Sequence, residues 1–452
     1  MTHKKCSAGL IHSCLLFALT LAVPASAEWN EKVLYSFQSV PDGATPVGAV
    51  VFDKQGNLYG ATADGGPASC KPMGGACGTV FQLSPQNGGS WTETLIYQFQ
   101  GKGSNDGESP SGGLIIDSQG NLYGVTAYGG TGDCALLGVP AGCGTVYELS
   151  PPKQKGGAWT ETILYSFPTA KQGYLPNGDL VFDGAGNLYG ATIYGGGYGT
   201  TCDPYYQYCG AVFELSPPKT KGGKWTEKVL HSFKSGTDGA YPYGDLVFDS
   251  KGSIYGTTSI GGNQGCVFGQ QIGCGIVFRL SPPKVKGKAW IEKIIYRFTG
   301  GNDGATPDAG LTRGKDGSFY GPAGGGGKYD RGLIFRLSKT ESGGWKESVL
   351  YDFVGNQAGQ SPGSLTFGSD GNLYGGASGG ANFQGLVFQL NRPARGDSWR
   401  LTDLYDFMRS GDGAGPDAPL IFDGLGNLYS TTVVGGDGAC TNGCGTVFEV
   451  SP

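Results

Sequence analysis

Apolar and polar positions along residues 29–452 show no sustained helical period; the chain is a succession of short apolar runs separated by Gly, Pro, Asp and Ser. Runs of about four to eight residues rich in Val, Ile, Phe and Tyr, bounded in this way, read as β-strands. Four such phrases recur in a fixed order. The first is a brief apolar run, as in Asp179-Leu-Val-Phe-Asp183, and the second follows a tight turn, as in Gly56-Asn-Leu-Tyr-Gly60 and Gly426-Asn-Leu-Tyr-Ser430. The third runs from Gly78-Thr-Val-Phe-Gln-Leu83 to Gly445-Thr-Val-Phe-Glu-Val450. The fourth opens on tryptophan, and Trp29, Trp91, Trp159, Trp225, Trp290, Trp345 and Trp399 each lead to a segment such as Leu34-Tyr-Ser-Phe37 or Ile295-Tyr-Arg-Phe298. Their spacings of 62, 68, 66, 65, 55 and 54 residues mark a tandem repeat.

The turns dictate how the strands connect. D-x-x-G-N between the first two phrases is a hairpin signal, because glycine accepts positive φ at little cost. L-S-P and a Gly-rich linker join the third phrase to the fourth. Four antiparallel strands repeated radially predict an all-β, seven-bladed β-propeller, with inner strands starting near residues 48, 112, 178, 244, 309, 363 and 418. A solenoid would need capping repeats with atypical outer faces, and neither end resembles a cap. The chain instead begins with a fourth phrase, Trp29 to Phe37, and finishes on a third. Residues 29–37 are therefore expected to complete the last blade beside residues 418–450, closing the ring without a bare edge.

The alternation of L-Y-S-F, G-N-L-Y-G-x-T, G-G and G-x-V-F-x-L resembles the GloVer tandem repeat of exported bacterial choice-of-anchor proteins, over essentially all of residues 29–452. The resemblance implies an exported, often surface-associated repeat protein, and it carries no established activity. Members are expected to end in a sorting signal, whereas this sequence stops at Pro452 directly after its last strand, so release or periplasmic retention is expected rather than anchoring. The P-x-G-x-x-x-D-x-x-G-N-x-Y grammar is also similar to NHL-type blades, a likeness of fold alone.

Composition sharpens the picture. Glycine supplies 86 residues without a collagen period, which means many tight turns, and a net charge of −5 leaves no basic face for nucleic acid. Residues 1–27 read as a signal peptide: Lys4 and Lys5, an apolar core from Leu15 to Val23, then Ala25-Ser26-Ala27. The mature chain, residues 28–452, is then a single propeller that is secreted, periplasmic or on the cell surface, expected as a monomer with no transmembrane segment. Its ten cysteines fall in local pairs: Cys70/Cys77, Cys134/Cys143, Cys202/Cys209, Cys266/Cys274 and Cys440/Cys444. Each cluster offers two thiols, and His231 is the one histidine after the signal. Closed zinc sites need four ligands, so disulfides in an oxidising compartment are expected.

Chemistry has few places to sit. Inter-blade loops (D-G-A-x-P-x-G) and the cysteine loops share one face of the ring. Tyr194, Tyr198, Tyr205, Tyr206 and Tyr208 around Cys202/Cys209 form a patch suited to sugars or a protein partner, or to packing within its own loop. Around each P-x-G the positions vary: Val47, Ser111, Asn177, Tyr243, Asp308, Gly363 and Asp417. Asn177, Asp179, Asp245, Asp308 and Asp417 are the candidate oxygen ligands for calcium at the channel mouth, without a fixed-spacing calcium loop behind them. Asp42, Asp106, Asp238, Asp303 and Asp412 precede glycine and read first as turn residues. On the opposite face, S-P-P-K-x-K-G linkers carry Lys153, Lys155, Lys219, Lys221, Lys224, Lys284, Lys286 and Lys288, a solvated surface or a contact for anionic envelope polymers.

No nucleophile elbow or paired metal-binding histidines occur, and His231 sits where other repeats place Tyr. The reading is a binding or surface-interaction module for a glycan, envelope polymer or protein, rather than an enzyme. The alternatives are a metal-dependent hydrolase or lyase at the channel mouth and a structural envelope component.

Overall fold

The structure, a computed structural model, describes residues 29–70, 77–136, 139–154, 156–197, 209–220, 222–262, 265–268, 271–285, 287–394 and 398–452. Seven antiparallel sheets form a seven-bladed propeller, as the four recurring phrases require. Blade 1 pairs Gly43–Phe52, Leu58–Gly65, Thr79–Pro85 and Trp91–Gln98 in that order, from the innermost strand to the tryptophan strand. Blade 7 consists of Ile421–Phe422, Leu428–Thr432 and Thr446–Ser451, with Asn30–Ser36 as its outer strand. Asn30 opposes Ser451 and Ser36 opposes Thr446, so the N-terminal strand closes the ring.

The D-x-x-G-N-x-Y phrase is one hydrogen-bonded unit. In blade 1 the Asp53 carboxylate accepts the backbone N–H groups of Gln55 and Asn57, the Asn57 side-chain amide and the Tyr59 hydroxyl, all at 2.7 to 3.0 Å. An Asx turn of this kind satisfies the hairpin's own donors and aims the tyrosine sideways. That tyrosine then packs into the next blade. Tyr189 of blade 3 meets Phe248 of blade 4 edge-on at 5.1 Å and Trp290 of blade 4 at 6.2 Å. Equivalent Tyr–Trp pairs at 5.8 to 6.4 Å join Tyr59 to Trp159, Tyr374 to Trp29 and Tyr429 to Trp91. Each tryptophan thus marks an outer strand and also fastens its blade to the one before.

The core follows from this. Buried apolar residues fall into seven clusters, and each draws on two adjacent blades: Tyr189, Val212 and Phe233 of blade 3 lie with Leu246, Ile254 and Phe278 of blade 4, for example. A single four-stranded sheet has no core of its own here; stability lives in the seams. Glycines make the seams close enough. Gly78 has φ +84°, and a Cβ there would lie 2.4 Å from Pro110 Cδ of the next blade. The same contact recurs between Gly445 and Pro46 across the closing seam, at 2.5 Å.

Disulfides join Cys70 to Cys77, Cys134 to Cys143, Cys266 to Cys274 and Cys440 to Cys444. Cys209 is also disulfide-bonded, and its expected partner Cys202 lies outside the described residues. The carbonyl of the second cysteine accepts the N–H of the residue before the next blade's proline: Cys77 from Ser109, Cys274 from Thr306, Cys444 from Thr45, at 2.9 Å. Arg331 and Gln384 make this bond in blades 5 and 6, which lack the cysteines. The bridges close separations of only 4 to 9 residues and so remove little chain entropy. Reduction should therefore lower the melting temperature by only a few degrees, to judge from about 1–2 kcal/mol in total. Loss of the β-sheet circular dichroism signal on reduction at room temperature would contradict that expectation.

Candidate functional site at the channel mouth

Inner strands approach the axis so closely that the P-x-G glycines are needed. A Cβ on Gly112 would lie 2.2 Å from the Gly178 carbonyl oxygen. Where these strands enter the ring they surround a cavity of about 620 Å³ lined by all seven blades. The variable residue of each P-x-G faces it: Val47, Ser111, Asn177, Tyr243, Asp308, Gly363 and Asp417. Asp179 and Asp245 line it as well, so the five oxygen-bearing candidates come together in one place.

Their circumstances differ. Asp179 Oδ1 accepts the Gly113 N–H of blade 2, and Asp245 Oδ1 accepts the Asp179 N–H at 2.7 Å. The Asn177 amide donates to the Ser111 carbonyl at 3.1 Å. These three therefore lace the inner strands of blades 2 to 4 together. Burial, and then the Asp245 charge, hold the Asp179 carboxyl well above its usual range; burial raises Asp245 too. Asp308 and Asp417 are open to the channel water while walled in by protein. Burial raises both, and the Asp417 charge adds to the rise at Asp308. Tyr243 is 45 % exposed beside them, its phenol raised by burial and then by Asp308. No Lys, Arg or His is among the lining residues. Nor, among the described residues, does any group of three or more His, Cys, Asp or Glu side chains have the disposition to hold a metal ion. For calcium, Asp308 and Asp417 are the two carboxylates not already engaged.

The remaining candidates lie elsewhere. Tyr194 is half-buried, edge-on to Tyr241 at 5.2 Å and 6.1 Å from Tyr174. Tyr198, Tyr205, Tyr206 and Tyr208 lie outside the described residues, as do Lys155, Lys221, Lys286 and residues 1–28. Lys153, Lys219, Lys224, Lys284 and Lys288 are exposed on the opposite face. The Asp-Gly aspartates are turn residues at the seams: Asp42 accepts the Tyr35 hydroxyl at 3.0 Å and the Gln38 N–H at 2.8 Å, and Asp106, Asp303 and Asp412 repeat this. His231 takes the tyrosine's place at its seam, 3.3 Å from Asp238.

A family described as the Gloeobacter/Verrucomicrobia repeat matches residues 15–202 and 264–452. No curated protein matches the chain. Among solved structures, an ulvan lyase of polysaccharide lyase family PL25 bound to -[GlcA(1-4)Rha3S]- is similar over 92% of this chain and 95% of its own, at 11% identity and a TM-score of 0.52. The polysaccharide lyase Uly1 is similar over 92% of each chain, at 12% identity and a TM-score of 0.51. A luciferin-regenerating enzyme is similar over 94% of this chain and 95% of its own, at 13% identity and a TM-score of 0.42. At these identities the likeness is one of fold.

Proposed function

The chain belongs to the Gloeobacter/Verrucomicrobia repeat family, and from that premise we propose that it is an exported propeller that binds a glycan at the mouth of its central channel. The observation that carries this reading is the ring of P-x-G residues. The scaffold repeats seven times, while the one position per blade that faces the cavity changes each time: a hydroxyl at Ser111, an amide at Asn177, a phenol at Tyr243 and free carboxylates at Asp308 and Asp417. Carboxylates accept pairs of sugar hydroxyls, and a tyrosine face covers the apolar side of a sugar ring. Two open carboxylates with no cation in the lining favour a neutral sugar and disfavour sulfated or uronate residues. The polysaccharide lyases of similar fold make a saccharide a reasonable class of ligand, and their acidic substrate is the point at which this site departs.

Export is supported by the disulfides, and no helix among the described residues is long and apolar enough to cross a membrane. The test is a glycan array on the mature protein, repeated with Asp308→Asn and Asp417→Asn and with a chelator. Each substitution should weaken binding to a neutral glycan about tenfold, the worth of one hydrogen bond to a charged group. Binding confined to anionic glycans, or untouched by both substitutions, rules the reading out. Loss of binding with chelator alone would assign the two aspartates to a calcium ion.

A further inference from the structure

The seams hold a second recurring set of titratable groups, away from the channel. Six outer strands carry a glutamate two residues after the tryptophan: Glu31, Glu93, Glu161, Glu227, Glu292 and Glu347. In all six, Oε1 is sealed from solvent and has no hydrogen-bond partner. The alternation of the strand turns these side chains toward the preceding seam, where the inter-blade aspartate and its tyrosine lie. Asp42 acts on Glu93, Asp106 on Glu161, Asp303 on Glu347 and Asp412 on Glu31.

The closing seam is the clearest case. Asp412 is only 6 % exposed. Its Oδ2 accepts the Tyr405 hydroxyl and the Met408 N–H, both at 2.8 Å, while Oδ1 is sealed off without a partner, like Glu31 Oε1. The groups that face Glu31 are thus Asp412, from the loop into blade 7, and Tyr405, from the outer strand of blade 6. No cation acts on it. Two neighbouring carboxylates buried with unpaired oxygens cannot both stay ionised.

We propose that these seams are proton-binding sites, in which the glutamate is a neutral acid beside an ionised aspartate, so that closing the ring takes up protons. Aspartate is the ionised partner because it receives the tyrosine O–H and the backbone N–H, whereas glutamate receives nothing. Burial, followed by the neighbouring aspartate, pushes Glu31 up to about 8 and Glu93, Glu161 and Glu347 up to about 7. At Glu227, which lacks such an aspartate, burial reaches about 7 against the opposing hydroxyl of Tyr165. At Glu292 burial also raises the carboxyl, but there His231 opposes it, which makes that seam the least sensitive.

The sign follows directly. These folded values lie above the unfolded value of 4.5, so the folded chain holds more protons between the two. The stabilisation is complete below the unfolded value and is lost as pH rises through 7 to 8. Turn aspartates such as Asp183 and Asp423, where burial is outweighed by the turn's own donors, act oppositely and lose their contribution at more acidic pH. The propeller should be most stable in mild acid, at about pH 5, and loosen first at the closing seam as the medium turns alkaline.

Thermal melts of the mature protein and of Glu31→Gln at about pH 5.5 and 8.5 test this. The wild type should melt several degrees lower at the alkaline pH. The amide, which stays neutral, should raise the alkaline melting temperature and shrink the difference between the two conditions. Infrared difference spectra near neutral pH supply an independent readout: a protonated-carboxyl band should be present in the wild type and diminished in Glu31→Gln. A melting temperature that does not change with pH overturns the proposal. So does an alkaline melt lowered by Glu31→Gln together with a calcium-dependent rise seen only in the wild type, which would make the seam a cation site.

Discussion

A chain lacking residues 28–38 is expected to fail to fold as a stable monomer. The deleted segment supplies the whole outer strand of blade 7, six registered pairs from Asn30–Ser451 to Ser36–Thr446. Without it, the Thr446–Ser451 strand becomes an open edge with unpaired backbone groups, a template for association. The loss also reaches two seams at once. Trp29 leaves Tyr374 at the seam with blade 6, and Leu34 and the fully buried Phe37 leave Phe81 and Leu83 at the seam with blade 1. Removing one large aromatic from a packed core costs about 3–5 kcal/mol. Two aromatics, a leucine and a strand of hydrogen bonds together match or exceed the ~5–15 kcal/mol of net stability usual for a folded protein. Size-exclusion chromatography should show aggregates, and the cooperative melt should vanish. A truncated protein that stays monomeric and melts like the wild type would mean that ring closure does not hold the fold.

The scaffold was legible in the chain because it repeats. Seven copies of one phrase let a strand be recognised even where the regular pairing shrinks to two residues, as at Thr312–Arg313 and Ile421–Phe422. The channel ring was legible for the opposite reason: Asn177, Tyr243, Asp308 and Asp417 are where a constant phrase changes. What the pattern of residues does not convey is how each position is used. Asp179 and Asp308 look alike in sequence, yet one bonds the Gly113 N–H across a seam and the other is open to the channel. The W-x-E glutamates went unnoticed because an alternate residue on an outermost strand reads as solvated. Only the loop into the neighbouring blade, folded over that strand, turns Glu31 into a buried acid. Its recurrence in six of seven repeats was the available signal.

The second large effect concerns the seam tyrosine. Tyr189 is 4 % exposed, held edge-on by Phe248 and Trp290 of the next blade, with its hydroxyl 3.1 Å from Asp183. Tyr189→Ala removes the ring from between two aromatics that belong to another sheet, and neither sheet can collapse without shifting its register. The cost should fall at about 3–5 kcal/mol, including about 0.5–1.5 kcal/mol for edge-on aromatic geometry beyond burial alone. Tyr189→Phe keeps the ring and loses one donor to Asp183, which still holds the N–H groups of Ala185 and Asn187 and the Asn187 amide. That change should cost only about 1 kcal/mol. Denaturant or thermal midpoints of the two variants separate the contributions, and Trp290→Ala combined with Tyr189→Ala should cost less than the sum of the two alone, because both empty the same seam. Strict additivity, or an alanine variant as stable as the phenylalanine one, would place the stability within blades instead. The expected non-additivity makes the seam between neighbouring sheets the unit whose packing decides whether the ring stays closed.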